Sequence, residues 1–250
     1  MGPSRCTDSA SAEAMNVFQT TQWSVVQSAG DLTSPDAQAA LTSLCQVYWL
    51  PIYAFIRKRG HSPEQAEDLV QDFFGGFLEK NYVAKAVRER GRFRSFLRSS
   101  VENFLHNVHD RNQAQKRGGG IRLLSLNGQS AEACYLAVPT DETDPAKAFE
   151  QRWASTVLQK VWQRLRDEFV ESGRSELFEG LQAHLLSDPH SIPYPQLAQQ
   201  LTLTIANIKT TAYRLRRRYQ ELLRAEIAQT ISHPGEIDEE IRYLMKVVSR

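Results

Sequence analysis

Residues 195–218 read PQLAQQLTLTIANIKTTAYRLRRR, and the spacing predicts two helices joined by a tight turn. In the first, Leu197, Ala198 and Leu201 fall on one side. Thr202 and Leu203 make the turn and Thr204 caps the second helix, where Ile205, Ile208, Ala212 and Leu215 recur at helical spacing. A small alanine at the crossing and an apolar residue in the turn are marks of a helix-turn-helix. The second helix turns Asn207, Lys209, Thr210, Tyr213, Arg214 and Arg217 outward. Amide, amine, hydroxyl and guanidinium groups are the types that read base edges and grip phosphates in a major groove. A helical hairpin with a solvated basic face would leave the same trace. Thr202 also stands where such turns usually carry glycine.

Upstream, Phe149, Trp153, Val157, Val161, Trp162 and Leu165 are spaced for burial on a helix opening near 146, and another helix is expected over 175–186. Downstream, residues 236–248 set Glu236, Asp238, Glu239 and Glu240 ahead of Ile241, Leu244, Val247 and Val248. Two readings fit that tail: a closing helix that completes the core, or an acidic cover over Arg216, Arg217 and Arg218.

The N-terminal half is also helical in pattern. Ser34 and Pro35 open a helix whose stripe runs through Leu41, Leu44, Cys45, Tyr48, Ile52 and Phe55, with a kink expected at Pro51. Ser62 and Gln65 form a capping box ahead of Ala66, Leu69, Val70, Phe73, Phe74 and Phe77. Glu67, Asp68, Gln71 and Asp72 occupy the opposite face. A third helix buries Phe93, Leu97, Val101, Phe104 and Leu105, and is expected to expose Arg94, Arg98, Asn103, His106, Asn107 and Arg111. Between 118 and 145 no helical period is seen, and three glycines open the stretch. A flexible linker is the reading there, with a short strand or interaction segment left open over 121–126. Residues 1–16 are small and polar and read as disordered, and Met15 is a candidate start.

The net charge of +1 hides two basic blocks. Residues 88–122 hold nine basic residues against three acidic, and 196–228 hold six against two. The stretch between them is acidic, with eleven against six. Two basic blocks on a near-neutral chain suggest two contacts with a polyanion. Three scattered cysteines without a CxxC argue against a disulfide framework or a zinc site. No signal segment and no long apolar run are read, so a cytoplasmic protein away from membranes is expected.

Three stretches together, AEDLVQDFF at 66–74, GRFRSFLRSSVENFLHNVHDR at 91–111 and RLRRRYQELL at 214–223, resemble the extracytoplasmic-function sigma factors of bacteria. The likeness spans most of 35–227. It implies an all-α fold of two helical domains on a flexible linker, at 17–117 and 146–228, with a helical tail at 229–250. The resemblance further implies a transcription-initiation factor rather than an enzyme, with no cofactor and no metal. Its partners would be promoter DNA and core RNA polymerase, through the clamp and flap. An anti-sigma factor or a regulatory kinase is left open. Under that likeness Glu67, Asp68, Gln71 and Asp72 dock on polymerase. Tyr82, Arg92, Arg94, Arg98, Asn103, His106, Asn107 and Arg111 serve the minus-ten element, combining cations with a stacking aromatic. The six outward residues of the last motif serve the upstream element.

Two other readings compete. His106, His109 and Asp110 lie along one helical flank as metal ligands might in an enzyme, but no further ligand set accompanies them. The glycines at 118–120 lack the lysine and hydroxyl of a phosphate loop. A stand-alone helix-turn-helix regulator explains 195–218 equally well and leaves the acidic face and the arginine block without a purpose.

Overall fold

The computed structural model describes residues 23–31, 33–114, 128–137, 144–185 and 192–249, and every regular element among them is helical. In chain order these are α1 Trp23–Gly30, α2 Ala37–Lys58, α3 Pro63–Glu79, α4 Phe93–Ala114, α5 Gly128–Ala137 and α6 Pro145–Glu171. Then follow α7 Ser175–Leu185, α8 Tyr194–Gln200, α9 Ile205–Ala228 and α10 Ile237–Val248. Short 3-10 turns at Tyr82–Lys85 and Arg88–Arg90 link α3 to α4.

α2 is the hub. Tyr48, Ile52, Tyr53, Ala54, Phe55 and Ile56 are all buried, because α1, α3, α5 and α6 surround the helix. A helix apolar on all sides needs such a shell. It is the one described helix long and apolar enough to span a bilayer, and most of its apolar window lies inside the protein. The helix runs unbroken through Pro51. Its most extensive neighbour is α6, where Phe149 stacks on Tyr48 with centroids 6.3 Å apart and Trp153 is fully buried. One continuous apolar core therefore runs from α1 through α6 to Leu244 of α10.

Ser62 caps α3 as the sequence predicts: its hydroxyl accepts from the Gln65 amide, and the Gln65 side chain accepts from the Ser62 amide. Two features depart from expectation. Part of the stretch read as an aperiodic linker is helix α5, seated on α2 and α3; residues 121–126 lie outside the described set. A ten-residue helix is marginal alone, and this one is held by polar contacts the sequence does not announce. Glu132 accepts from the Tyr53 hydroxyl at 2.5 Å and forms a two-pronged pair with Arg57 at 2.8 and 3.1 Å. Tyr135 sits between the Arg57 and Arg152 guanidiniums, and Arg152 donates to the Cys134 and Tyr135 carbonyls.

The second departure is Arg94, expected on the exposed side of α4. It is 2% exposed. α4 is covered on a second side by α6 and α10, and Arg94 pairs there with Glu150 at 2.8 Å and Glu240 at 2.6 Å, its guanidinium 4.0 Å from the Trp153 ring centre. Glu240 also meets Arg92 at 2.6 Å, in charge contacts rather than aligned hydrogen bonds. Burial alone would lower the Arg94 pKa; Glu150 and Glu240 hold it above the ordinary value. The tail is thus built into the core through Glu240 and Leu244, as a closing helix is.

Candidate nucleic-acid interface

α8 ends in a left-handed residue. Thr202 has φ +53°, the Leu203 amide donates to the Ala198 carbonyl at 2.9 Å, and the Thr202 amide donates to Gln199 at 3.3 Å. This is the double closure that usually employs glycine. A β-branched residue there carries strain of roughly 1–2 kcal/mol. Thr204 then caps α9, its hydroxyl accepting from the Asn207 amide at 3.2 Å. Ile208, Ala212 and Leu215 are buried as the spacing predicts, while Ile205, expected inward, is 43% exposed at the helix start.

The register leaves all six expected readers on the surface. Asn207, Lys209, Thr210, Tyr213, Arg214 and Arg217 are exposed, with Tyr213 at 66%. Arg217 makes a local pair with Glu221 at 3.1 Å. The flanking arginines have inward tasks. Arg216 donates to the His184 carbonyl at 3.0 Å, and Arg218 pairs with Glu168 at 2.7 Å, which raises the guanidinium pKa and lowers the carboxyl's. Among the described residues none of these three pairs with the tail. Its exposed Asp238 pairs with Arg224 instead.

The N-terminal candidates divide. Tyr82, Asn103 and Asn107 line an open groove of about 500 Å3 between α3 and α4, together with Phe104 and Gly76. Lys85 places its ammonium 4.0 Å from the Tyr82 ring centre. His106 is exposed one turn further and faces a neighbouring cleft. Arg92 and Arg98 are part-exposed, at 33% and 31%, and turn toward Glu240 and Glu150. Arg94 is in the core. Arg111 lies in α4, but its side chain falls outside the described set. Of the expected docking face, Asp68 and Asp72 are exposed, and Glu67 and Gln71 are half-buried. Burial first, then the neighbouring Asp68 charge, raises the carboxyl pKa of both Glu67 and Asp72; Glu132 of α5 adds to the effect at Glu67.

Sequence reasoning missed the groove itself. Its signal is the Gly75-Gly76 pair inside α3, since glycine in a helix interior costs about 1 kcal/mol and asks for a reason. A Cβ at Gly76 would meet nothing within 4 Å. Among the described residues no three His, Cys, Asp or Glu side chains are grouped to hold a metal ion. No family model, curated protein or solved structure matches the chain.

Proposed function

We propose that the protein is a promoter-recognition factor of the sigma type. In this reading it binds core RNA polymerase and directs initiation, with a helix-turn-helix at α8–α9 reading duplex DNA. The observation that carries the reading is the outward face of α9. A capped, tightly turned helix displays an amide, an amine, a hydroxyl, a phenol and two guanidiniums on one side, the chemistry that major-groove readout needs. The α3–α4 groove supports a second contact of a different kind. Its mixture of Tyr82, Phe104, Asn103 and Asn107 suits an unstacked base, held by stacking and amide hydrogen bonds. The exposed carboxylates of Asp68 and of Asp72, which stands in the wall of the groove, suit a basic polymerase surface.

Run-off transcription with core enzyme tests this. Specific transcripts that depend on the protein are expected, together with weak binding to promoter duplex alone. Gly76→Leu, whose Cβ enters open space and whose side chain would occupy the groove, should abolish initiation and leave upstream duplex binding intact. Efficient sequence-specific repression without affinity for core enzyme would overturn the sigma reading.

One observation favours the alternative, a stand-alone helix-turn-helix regulator. The core is continuous between α2 and α6, and Arg94 is spent inside it, which leaves fewer cations for a melted strand. Pull-down of core polymerase, with Asp68→Lys and Asp72→Lys as the disrupting pair, separates the two.

A further inference from the structure

A second cleft, of about 310 Å3, shares Val108 with the groove and opens beside the α2–α3 turn. Arg59, His61, His106 and His109 supply its polar lining, and Leu69 and Leu105 its apolar walls. Among the described residues no carboxylate lines it. Charged groups surround it on four elements. α2 contributes Arg57, Lys58 and Arg59, α3 carries Glu64, Glu67 and Asp68, α4 brings His106 and His109, and α5 brings Glu132. Several are engaged elsewhere: Arg57 is paired with Glu132, Glu64 accepts from the Ser62 hydroxyl, and Glu67 is in the field of Asp68. The charge felt at the His61 ring is that of Arg59.

The position of His61 is fixed rather than adventitious. The Arg57 guanidinium donates to its carbonyl at 2.5 Å while clamped on Glu132, and the next residue caps α3. An imidazole carried on a held backbone and a permanent cation facing one small cleft, with no acid among the described lining residues, make a partly preorganised anion site. We propose that this cleft binds a phosphate group, with Arg59 as the permanent cation and His61 and His106 as hydrogen-bond donors. The proposal deepens the nucleic-acid reading: there the phosphate belongs to a strand whose bases lie in the adjoining groove. The same chemistry would equally accept the phosphate of a small phosphorylated ligand.

Proton linkage follows. Burial and then Arg59 hold His61 below the ordinary imidazole value, so it is neutral at pH 7. A bound anion reverses that preference and draws a proton onto the His61 ring, so affinity rises as pH falls. A phosphodiester keeps its single charge throughout, and its binding climbs steadily. A phosphate monoester loses its second charge near pH 6, and its binding levels off there.

The test uses the full chain, with imidazole proton signals followed by NMR between pH 8 and pH 6. Inorganic phosphate and a short oligothymidylate are the probes. Phosphate should raise the His61 imidazole midpoint. Oligothymidylate affinity should rise on the order of tenfold across the range, the effect of one net proton over one pH unit. Arg59→Gln with His61→Gln should flatten that rise; if the pair lowers stability, the wild-type phosphate titration decides alone. Imidazole signals that move with neither probe would overturn the proposal. So would an unchanged pH profile in the variant, in which case strand binding through the groove would still stand. Signals that move with phosphate while oligothymidylate fails to bind would keep the cleft as a free-phosphate site and overturn the single-strand contact proposed for the groove, leaving the duplex reading of α9 to its own test.

Discussion

Between residues 88 and 98 the chain places five arginines in eleven positions, and between 209 and 218 five cations in ten. As composition these are the same signal, yet their surroundings separate them. In the second block Lys209, Arg214 and Arg217 stand in solvent, because α9 is packed along one face only. In the first, α4 is covered on two sides, and Arg94 meets Glu150 and Glu240 inside the protein. A charge-rich stretch announces a polyanion site only where the fold leaves its helix half bare. Otherwise the carboxylates that take up the cations arrive from distant elements.

The difference can be broken most sharply at its buried end. Arg94→Ala leaves two carboxylates without their partner in the core and should cost about 3–5 kcal/mol of stability by urea unfolding. Arg214→Ala on the open helix should stay within about 0.5 kcal/mol. Equal losses at the two positions would erase the distinction. Binding should show the reverse order. Lys209→Ala or Arg214→Ala is expected to weaken upstream duplex binding by about 1–3 kcal/mol if the residue reads a base. If it grips phosphate, the loss is uniform across sequences and the salt slope falls by about one. No binding loss at either residue would mean that α9 meets DNA by another face.

A smaller effect concerns how the open block is presented. Thr202→Gly relieves the left-handed turn and should stabilise the fold by about 1 kcal/mol, read as a higher Tm. No gain would mean that the threonine side chain compensates its own strain. The smallest effect lies between the extremes, at Arg57, which is 20% exposed against 2% for Arg94 and 69% for Arg217. Hydrogen bonds from Arg57 hold the Glu132 carboxyl below its ordinary value of 4.5. That pairing stabilises the docked α5 fully above pH 4.5 and is lost as pH falls below it. Protection against hydrogen exchange over residues 128–137, taken relative to the intrinsic rate at each pH, should therefore fall at acid pH, and at neutral pH in Glu132→Gln. Exchange indifferent to both would place the hold on α5 elsewhere, at Tyr135 and Arg152.

Much of this was legible in the residues. Ser62 and Thr204 declare their caps, and the stripe Ile208, Ala212, Leu215 sets the register that exposes all six candidates of α9. Arg94 was not legible, because periodicity gives a helix one buried side and says nothing of a second. Its partner Glu150 is 56 residues away. Helix α5 escaped for a related reason: it lacks an apolar stripe, and its anchor Arg57 is 75 residues distant. The groove and the cleft are gaps between packed helices, and residue spacing along one helix does not encode the space beside it.

The near-complete burial of the second half of α2, from Val47 to Ile56, bears on how the chain is made. The ribosome releases α2 long before α6 exists, and at ordinary rates of synthesis the interval is on the order of ten seconds. During that time Tyr48 has no Phe149 to stack on, and the surface destined for Trp153 faces water. The nascent N-terminal half is therefore obliged to carry an open apolar flank, a natural binding place for a chaperone, until α6 emerges to cover it.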